Sequence, residues 1–320
     1  MGASEKKTTR LKAIFNRPGT TLMPFGVLPI HARMAEQAGF EAFEVSGGLS
    51  AWWLGGVADI GYMTMTEVVE QAANVVKAVD IPVYCDADTG YGGPVNVRRA
   101  VQEFIRAGVA GIHIEDQAEP KKAGGRAGIR LVSDAEAIGR LQAAIDARDE
   151  LDPDFVIVAR TDGYGAEGGG LEEAIRRGVL YKEETGADVI FYEGLNSWEE
   201  VRIAIEATPG PAYAIPSRRA GRTLPTAELA AIGQKIQIVP FILPGIHEVW
   251  KLLLDVRNSG EVAPVDDFRE LIDAAKGTEQ YVGWGEHLLK PGYDDARLLE
   301  EKYLPKELQR DYAAAGGNED

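Results

Sequence analysis

Eight short apolar runs punctuate this chain, and amphipathic stretches of helical period separate most of them. Several junctions carry a glycine where a helix would end and a strand begin: Ala38-Gly39-Phe40, Ala107-Gly108-Val109 and Thr185-Gly186-Ala187. Glycine suits the left-handed turn that closes a helix, so each phrase reads as an αβ connection. The predicted strands are Leu22–Phe25, Ala42–Ser46, Val83–Asp86, Gly111–Glu115, Phe155–Arg160, Val189–Glu193, Ala212–Ile215 and Gln237–Phe241. Between them the period predicts helices over Ile30–Ala38, Thr66–Val79, Asn96–Ala107, Asp134–Arg148, Leu171–Thr185, Ser197–Glu206 and Thr226–Ile232, with Thr66 and Ser133 as N-caps. Apolar runs without alternation belong to strands covered on both faces, as in parallel sheets. Eight such units in about 250 residues predict an α/β protein with a (β/α)₈ TIM barrel. An open doubly wound sheet is the alternative. The absence of a Gly-x-Gly-x-x-Gly turn after the first strand favours the barrel.

The barrel is expected over residues 1–245, as the catalytic domain. Residues 246–320 exceed its needs and read as a C-terminal helical extension, with helices near Ile246–Asn258, Asp266–Lys276 and Asp294–Glu307. A surplus arm of this kind suits a subunit contact, hence a homo-oligomer. The tail Ala313–Asp320 is expected to fray.

Composition narrows the function classes. A net charge of −16 opposes binding to nucleic acid or to an anionic membrane surface, both of which need basic faces. No apolar run approaches the ~20 residues of a membrane helix. Met1–Arg10 is polar and lacks the apolar stretch of a secretory signal. Cys85 is the one cysteine, so no intrachain disulfide can form. The single cysteine fits a reducing cytoplasm, where the chain is expected.

In a barrel the reacting groups sit at the C-terminal ends of strands. Here those ends read Ser46-Gly47-Gly48, Asp86-Ala87-Asp88, His113-Ile114-Glu115-Asp116, Arg160-Thr161-Asp162, Glu193 and Ser217-Arg218-Arg219. Alternation turns Asp86 and Asp88 to one side, where they repel unless a positive charge intervenes. A hard cation that prefers oxygen, such as Mg²⁺, answers that repulsion. An arginine from another strand suits a bidentate grip on a carboxylate. Each residue also has a plain reading: a helix cap for Asp86 or Asp116, a satisfied core histidine for His113, a structural ion pair between Arg160 and Glu193. Their convergence is what a purely structural role does not explain. The stretch Glu119–Gly128, with three glycines and two lysines, reads as a lid.

Taken together, Val45-Ser46-Gly47-Gly48, Asp59-Ile60-Gly61 with Met65-Thr66-Glu67, Asp86–Gly92, His113–Gln117, Pro120-Lys121-Lys122, Val158–Asp162 and Glu193 resemble the isocitrate lyase and phosphoenolpyruvate mutase superfamily. The likeness runs over roughly residues 10 to 245 and is nearest to its short members of the 2-methylisocitrate lyase type. It implies a barrel, often a tetramer with an exchanged C-terminal helix, and Mg²⁺ or Mn²⁺ as cofactor. It implies Asp86, Asp88 and Glu115 as the metal residues. Asp59, Lys122, Arg160 and Glu193 would be catalytic. Ser46, Gly47 and Gly48 would hold a substrate carboxylate, with Asp86, Arg160, His113, Ser217 and Arg218 also toward the substrate. The substrate would be a small anionic 2-hydroxy or 2-oxo carboxylate.

One departure stands out. The lyases of this superfamily carry a cysteine and a histidine in the lid, the cysteine as proton donor. This chain has Lys122-Ala123-Gly124-Gly125 instead. Tyr91 is therefore expected to serve as the acid, or a water. Cys85 precedes Asp86 directly, so alternation turns it away, into packing. Three functions follow: a carbon–carbon lyase on a 2-hydroxy di- or tricarboxylate, a 2-oxo acid decarboxylase, hydrolase or phosphonomutase, or a barrel that only binds.

Overall fold

The computed structural model describes residues 5–312. Eight parallel strands form one sheet: β1 Thr21–Gly26, β2 Phe43–Val45, β3 Val83–Asp86, β4 Gly111–Glu115, β5 Val156–Thr161, β6 Val189–Glu193, β7 Ala212–Ile215 and β8 Ile236–Val239. Their order is β7-β6-β5-β4-β3-β2-β1-β8. The ring closes between β7 and β8 through the parallel bridge of Ala212 with Gln234. There the Gln234 side chain imitates a strand, accepting the Ala214 N–H at 3.0 Å and donating to the Ala214 carbonyl at 2.7 Å. The architecture is the predicted (β/α)₈ barrel.

Alternation sorts each strand into two layers. Val83 and Cys85, Ile112 and Ile114, Ile157 and Ala159 face outward into a core shared with the surrounding helices. Their neighbours Tyr84, Val158, Phe191, Tyr213 and Ile236 fill the barrel interior. Burial of each such side chain contributes roughly 1.5–3 kcal/mol. The helix Lys7–Asn16, which the period did not reveal, adds Leu11, Ile14 and Phe15 to that interior layer. A Cβ on Gly111, the first residue of β4, would meet Leu11 at 2.9 Å, so this helix plugs the N-terminal end of the barrel. The opposite mouth is left for chemistry.

Two local expectations change. Thr64, not Thr66, caps the helix Met65–Ala78, in a box with Glu67. Gly47–Ser50 forms a short helical turn that runs on into a π-turn over Ala51–Gly55, where Trp52 and Trp53 are exposed. Ser133 caps its helix as expected.

The chain divides into two compact units, Met1–Leu243 and Pro244–Asp320. In the second, helices span Ala263–Asp273 and Tyr293–Tyr303. The helix Leu243–Ser259 begins at the division. The expected frayed tail, Ala313–Asp320, lies outside the described residues. No helix among the described residues is long and apolar enough to cross a membrane.

Candidate active site

The C-terminal mouth of the barrel holds a cavity of about 450 Å³. Its wall includes Ser46, Gly48, Asp59, Asp86, His113, Arg160, Glu193, Ser217 and Arg218. Six separate strand ends and one loop therefore deliver these nine residues to one space; Gly47, Asp88, Tyr91, Glu115 and Lys122 are not on its wall.

Asp86 organises the β2–β3 side. One of its oxygens accepts the Asp88 N–H at 2.8 Å and the other the Gly47 N–H at 3.3 Å. A Cβ on Gly47 would lie 2.7 Å from that second oxygen, so glycine is what allows the backbone to approach the carboxylate. His113 Nε2 stands 3.1 Å from Asp86 Oδ1, and its Nδ1 is 3.0 Å from the Tyr84 hydroxyl. Tyr84 in turn bonds Tyr213 at 3.0 Å. Burial alone would push the Asp86 carboxyl up, yet His113, Lys121 and Arg160 pull it well below its ordinary range.

The lid supplies a buried cation, and the residue differs from the one expected. Lys121 Nζ lies 2.5 Å from Asp59 Oδ1 and 2.6 Å from Asp88 Oδ1. Burial alone would lower the Lys121 ammonium, but Glu115, Asp88, Asp86 and Asp59 hold it charged. Lys122 does not reach this cluster. Its backbone is clamped by the Gln117 side chain, and its side chain runs toward Gly128. Glu119 fixes the turn by accepting the Lys121 N–H and the Thr89 hydroxyl. The lid also lies against the site at Ala123, whose N–H meets the Asp59 carbonyl at 3.1 Å. At Gly124 any Cβ would sit 2.3 Å from Glu193 Cγ.

Arg160 is fixed on three sides. Asp162 accepts two of its N–H groups at 3.0 and 3.1 Å, Glu115 is 3.2 Å away and Glu193 3.8 Å. Its guanidinium also lies 5.1 Å from the Phe191 ring centre. Burial pushes the Glu193 carboxyl upward, partly offset by Arg160. Asp116, by contrast, turns outward to the Thr161 and Tyr181 hydroxyls and the Asp162 N–H, a brace between β4 and β5.

Other expected residues fall as follows. Ser46 caps the short helix by accepting the Leu49 N–H, and Ser217 donates to Asn196 at 2.6 Å. Tyr91 is not in the main cavity. It lines a second one, with Asp88, Met63 and Asn96, and its buried hydroxyl has no partner. Cys85 packs in the outer core, its thiol donating to the Asp86 carbonyl. Glu44 was missed entirely. It lines the main cavity, and the only signal was an acid in the apolar run Ala42-Phe43-Glu44-Val45.

The donor set is one of hard oxygens. Glu115 Oε1 is buried without a partner, while Asp88 Oδ1 and Glu115 Oε2 are held by the ion pairs with Lys121 and Arg160. Among the described residues no group of three or more His, Cys, Asp or Glu side chains is already gathered closely enough to hold a metal ion. Mg²⁺ asks for less, since it commonly keeps several waters and takes one or two carboxylates.

Comparison with known proteins agrees with this geometry. Residues 12–242 match the family model described as phosphoenolpyruvate phosphomutase. The chain is 43% identical over 244 residues to 2,3-dimethylmalate lyase of Eubacterium barkeri, spanning 74% of this chain and 81% of that one. It is 38% identical over 259 residues to probable 2-methylisocitrate lyase 1 of Corynebacterium glutamicum, spanning 80% and 83%. Among solved structures, phosphonopyruvate hydrolase in complex with oxalate and Mg²⁺ superposes with a TM-score of 0.77 at 30% identity, over 94% of this chain and 100% of that one. By the family model and by its likeness to both lyases over most of their length, the chain belongs to the phosphoenolpyruvate mutase/isocitrate lyase superfamily.

Proposed function

We propose that this carbon–carbon lyase cleaves a 2-hydroxy di- or tricarboxylate, with Mg²⁺ or Mn²⁺ as cofactor, through a carboxylate-stabilised carbanion. The observation that carries the reading is the pairing of two fixed cations with the acid cluster: Arg160 on one side of the mouth, Lys121 between Asp59 and Asp88 on the other. Both cations are pre-oriented by buried partners, which is the arrangement that stabilises charge developing on a substrate oxygen.

In this reading the backbone at Ser46, Gly47 and Gly48 receives a substrate carboxylate. Arg160 holds a second oxygen group, its plane fixed by Asp162 and Glu115. Asp86, Asp88 and Glu115 would hold the cation, directly or through water. When bound, that cation supplies positive charge beside the reacting oxygens. Glu193 lines the same cavity with its carboxyl raised by burial, which suits a group that takes the hydroxyl proton and later returns one. Lys121 stays charged and acts as an electrostatic partner, not a base. The lid, closed over Asp59 and Glu193, keeps water out while the bond breaks.

A second reading rests on a specific observation. The lid presents Ala123 and Gly125, neither of which can deliver a proton. A phosphonomutase adds no proton to carbon, and a 2-oxo acid hydrolase or decarboxylase can take the proton for its small enolate product from water; a phosphonopyruvate hydrolase is among the structural relatives. Assay of the purified protein with Mg²⁺ separates the two. Turnover of 2,3-dimethylmalate or 2-methylisocitrate supports the lyase; turnover confined to oxaloacetate or phosphonopyruvate supports the second reading. The free cysteine and acidic charge suit a cytoplasmic enzyme. The residues 246–320 would form the subunit contact of a homotetramer, tested by sedimentation of the full chain and of a chain truncated after residue 245.

A further inference from the structure

Glu44 has no use in the scheme above, and the fold gains nothing from it. It lies on β2 two residues before Ser46, so it faces the same interior side and sits about 6–7 Å deeper in the barrel. Its exposure is 6%, and it lines the same cavity as Arg160, Glu193 and Asp86. Its Oε2 is buried with no hydrogen-bond partner, and no Lys or Arg pairs with it among the described residues. Phe25, Phe191 and Ile238 supply the remaining floor. Burial, with Asp86 and Glu193 nearby and Arg160 opposing them, pushes the Glu44 carboxyl up to about 8. A buried carboxyl without a partner is costly, and an apolar residue would serve packing better. An unpaired carboxyl oxygen facing into the cavity points to a ligand group that pairs with it.

We infer that Glu44 is a specificity-determining residue that takes an uncharged hydroxyl-bearing arm of the substrate, pointing into the barrel, and disfavours a carboxylate in that place. A hydroxyl can bond Glu44 in either protonation state. A carboxylate arm would meet a second carboxyl, and the nearby Arg160 is already paired with Glu115, Asp162 and Glu193, so such an arm would bind there chiefly by taking up a proton. The substrate class is then a 2-hydroxy dicarboxylate with a neutral polar substituent, preferred over a tricarboxylate. This inference rests on the lyase reading of the same site.

The test is binding, not turnover. Oxalate with Mg²⁺ serves as a calorimetric probe, displaced in competition by three malates that differ at carbon 3: methyl, hydroxymethyl and carboxymethyl (isocitrate). The wild-type chain should bind the hydroxymethyl compound about ten-fold more tightly than either other one. Glu44→Leu should abolish that preference while oxalate affinity changes less than about three-fold. Glu44→Gln, which keeps a donor and an acceptor, should retain most of it and guards against a leucine variant that fails to fold. An unchanged preference in Glu44→Leu, or no preference in the wild type, overturns the role of Glu44 alone. Failure of the wild type to bind oxalate with Mg²⁺ overturns the site reading and this inference with it.

Discussion

Lys121 Nζ lies 2.5 Å from Asp59 Oδ1 and 2.6 Å from Asp88 Oδ1, so a lid residue ties two acids from different loops into one buried cluster. The contact makes lid closure and the charge balance of the site a single event. Lys121→Met should therefore lower turnover by on the order of 10²-fold or more. It also leaves two acids uncompensated, at a cost of roughly 3–5 kcal/mol in the closed state. Lys122→Met, at a residue whose backbone is clamped outside the cluster, should cost only a few-fold. Steady-state kinetics of the two variants side by side check this.

Gly124 presses on Glu193, with 2.3 Å available to a Cβ. Gly124→Ala should hold the lid off the site and reduce kcat/KM by at least ten-fold, with little change in melting temperature because the change is in a loop. Gly93→Ala, where a Cβ would meet nothing within 4 Å, is the matched control and should be near neutral. Equal kinetics in the two variants would remove the lid from the account.

The surplus of acid at Asp86, Asp88 and Glu115, with Glu115 Oε1 unpartnered, predicts a stability linked to the cation. Mg²⁺ at a hundred times its dissociation constant should stabilise the wild-type fold by about 2.7 kcal/mol. Asp88→Asn should lose most of that increment. Chemical denaturation with and without Mg²⁺ measures both.

Burial raises the Glu44 carboxyl to about 8, which fixes the sign of a pH effect. Between an unfolded value near ~4.3 and the folded value, the native state holds a proton that the unfolded chain has lost. The contribution of Glu44 to stability is thus fully present below that range, falls as pH rises through it, and is level above. The slope is at most about 1.4 kcal/mol per pH unit. Glu44→Gln removes it, so the stability of the variant relative to wild type should climb from pH 5 to pH 8. A flat difference across that window would show that Glu44 is not buried as an acid.

Much of the fold was legible because both faces of each strand are covered. Val83–Asp86, Gly111–Glu115, Val189–Glu193 and Ala212–Ile215 read directly as strands, with the ends that the structure has. The helix Lys7–Asn16 did not, since its sequence Lys-Thr-Thr-Arg-Leu-Lys-Ala-Ile-Phe-Asn carries only a weak apolar stripe. The acid cluster was legible for a related reason: strand ends project by alternation, so Asp86, Glu115, Arg160 and Glu193 follow from register. Lys121 was not, because a lid has no period to say which of two adjacent lysines turns inward. The N-cap slipped by two residues, since Thr64 and Thr66 both precede Glu67 and only Thr64 has the spacing of a capping box. Glu44 was overlooked for the opposite reason: it sits mid-run among apolar residues, where a strand was expected to carry only packing.

The central claim is that this site breaks a carbon–carbon bond through a carboxylate-stabilised carbanion. Cleavage of 2,3-dimethylmalate in D₂O with Mg²⁺ tests it most directly, read by NMR of the products. The account predicts pyruvate and propionate in equal amounts, one deuterium at carbon 2 of the propionate, and loss of the reaction on chelation of the metal. No pyruvate from this or from 2-methylisocitrate, with oxaloacetate or phosphonopyruvate turned over by the same preparation, would contradict it.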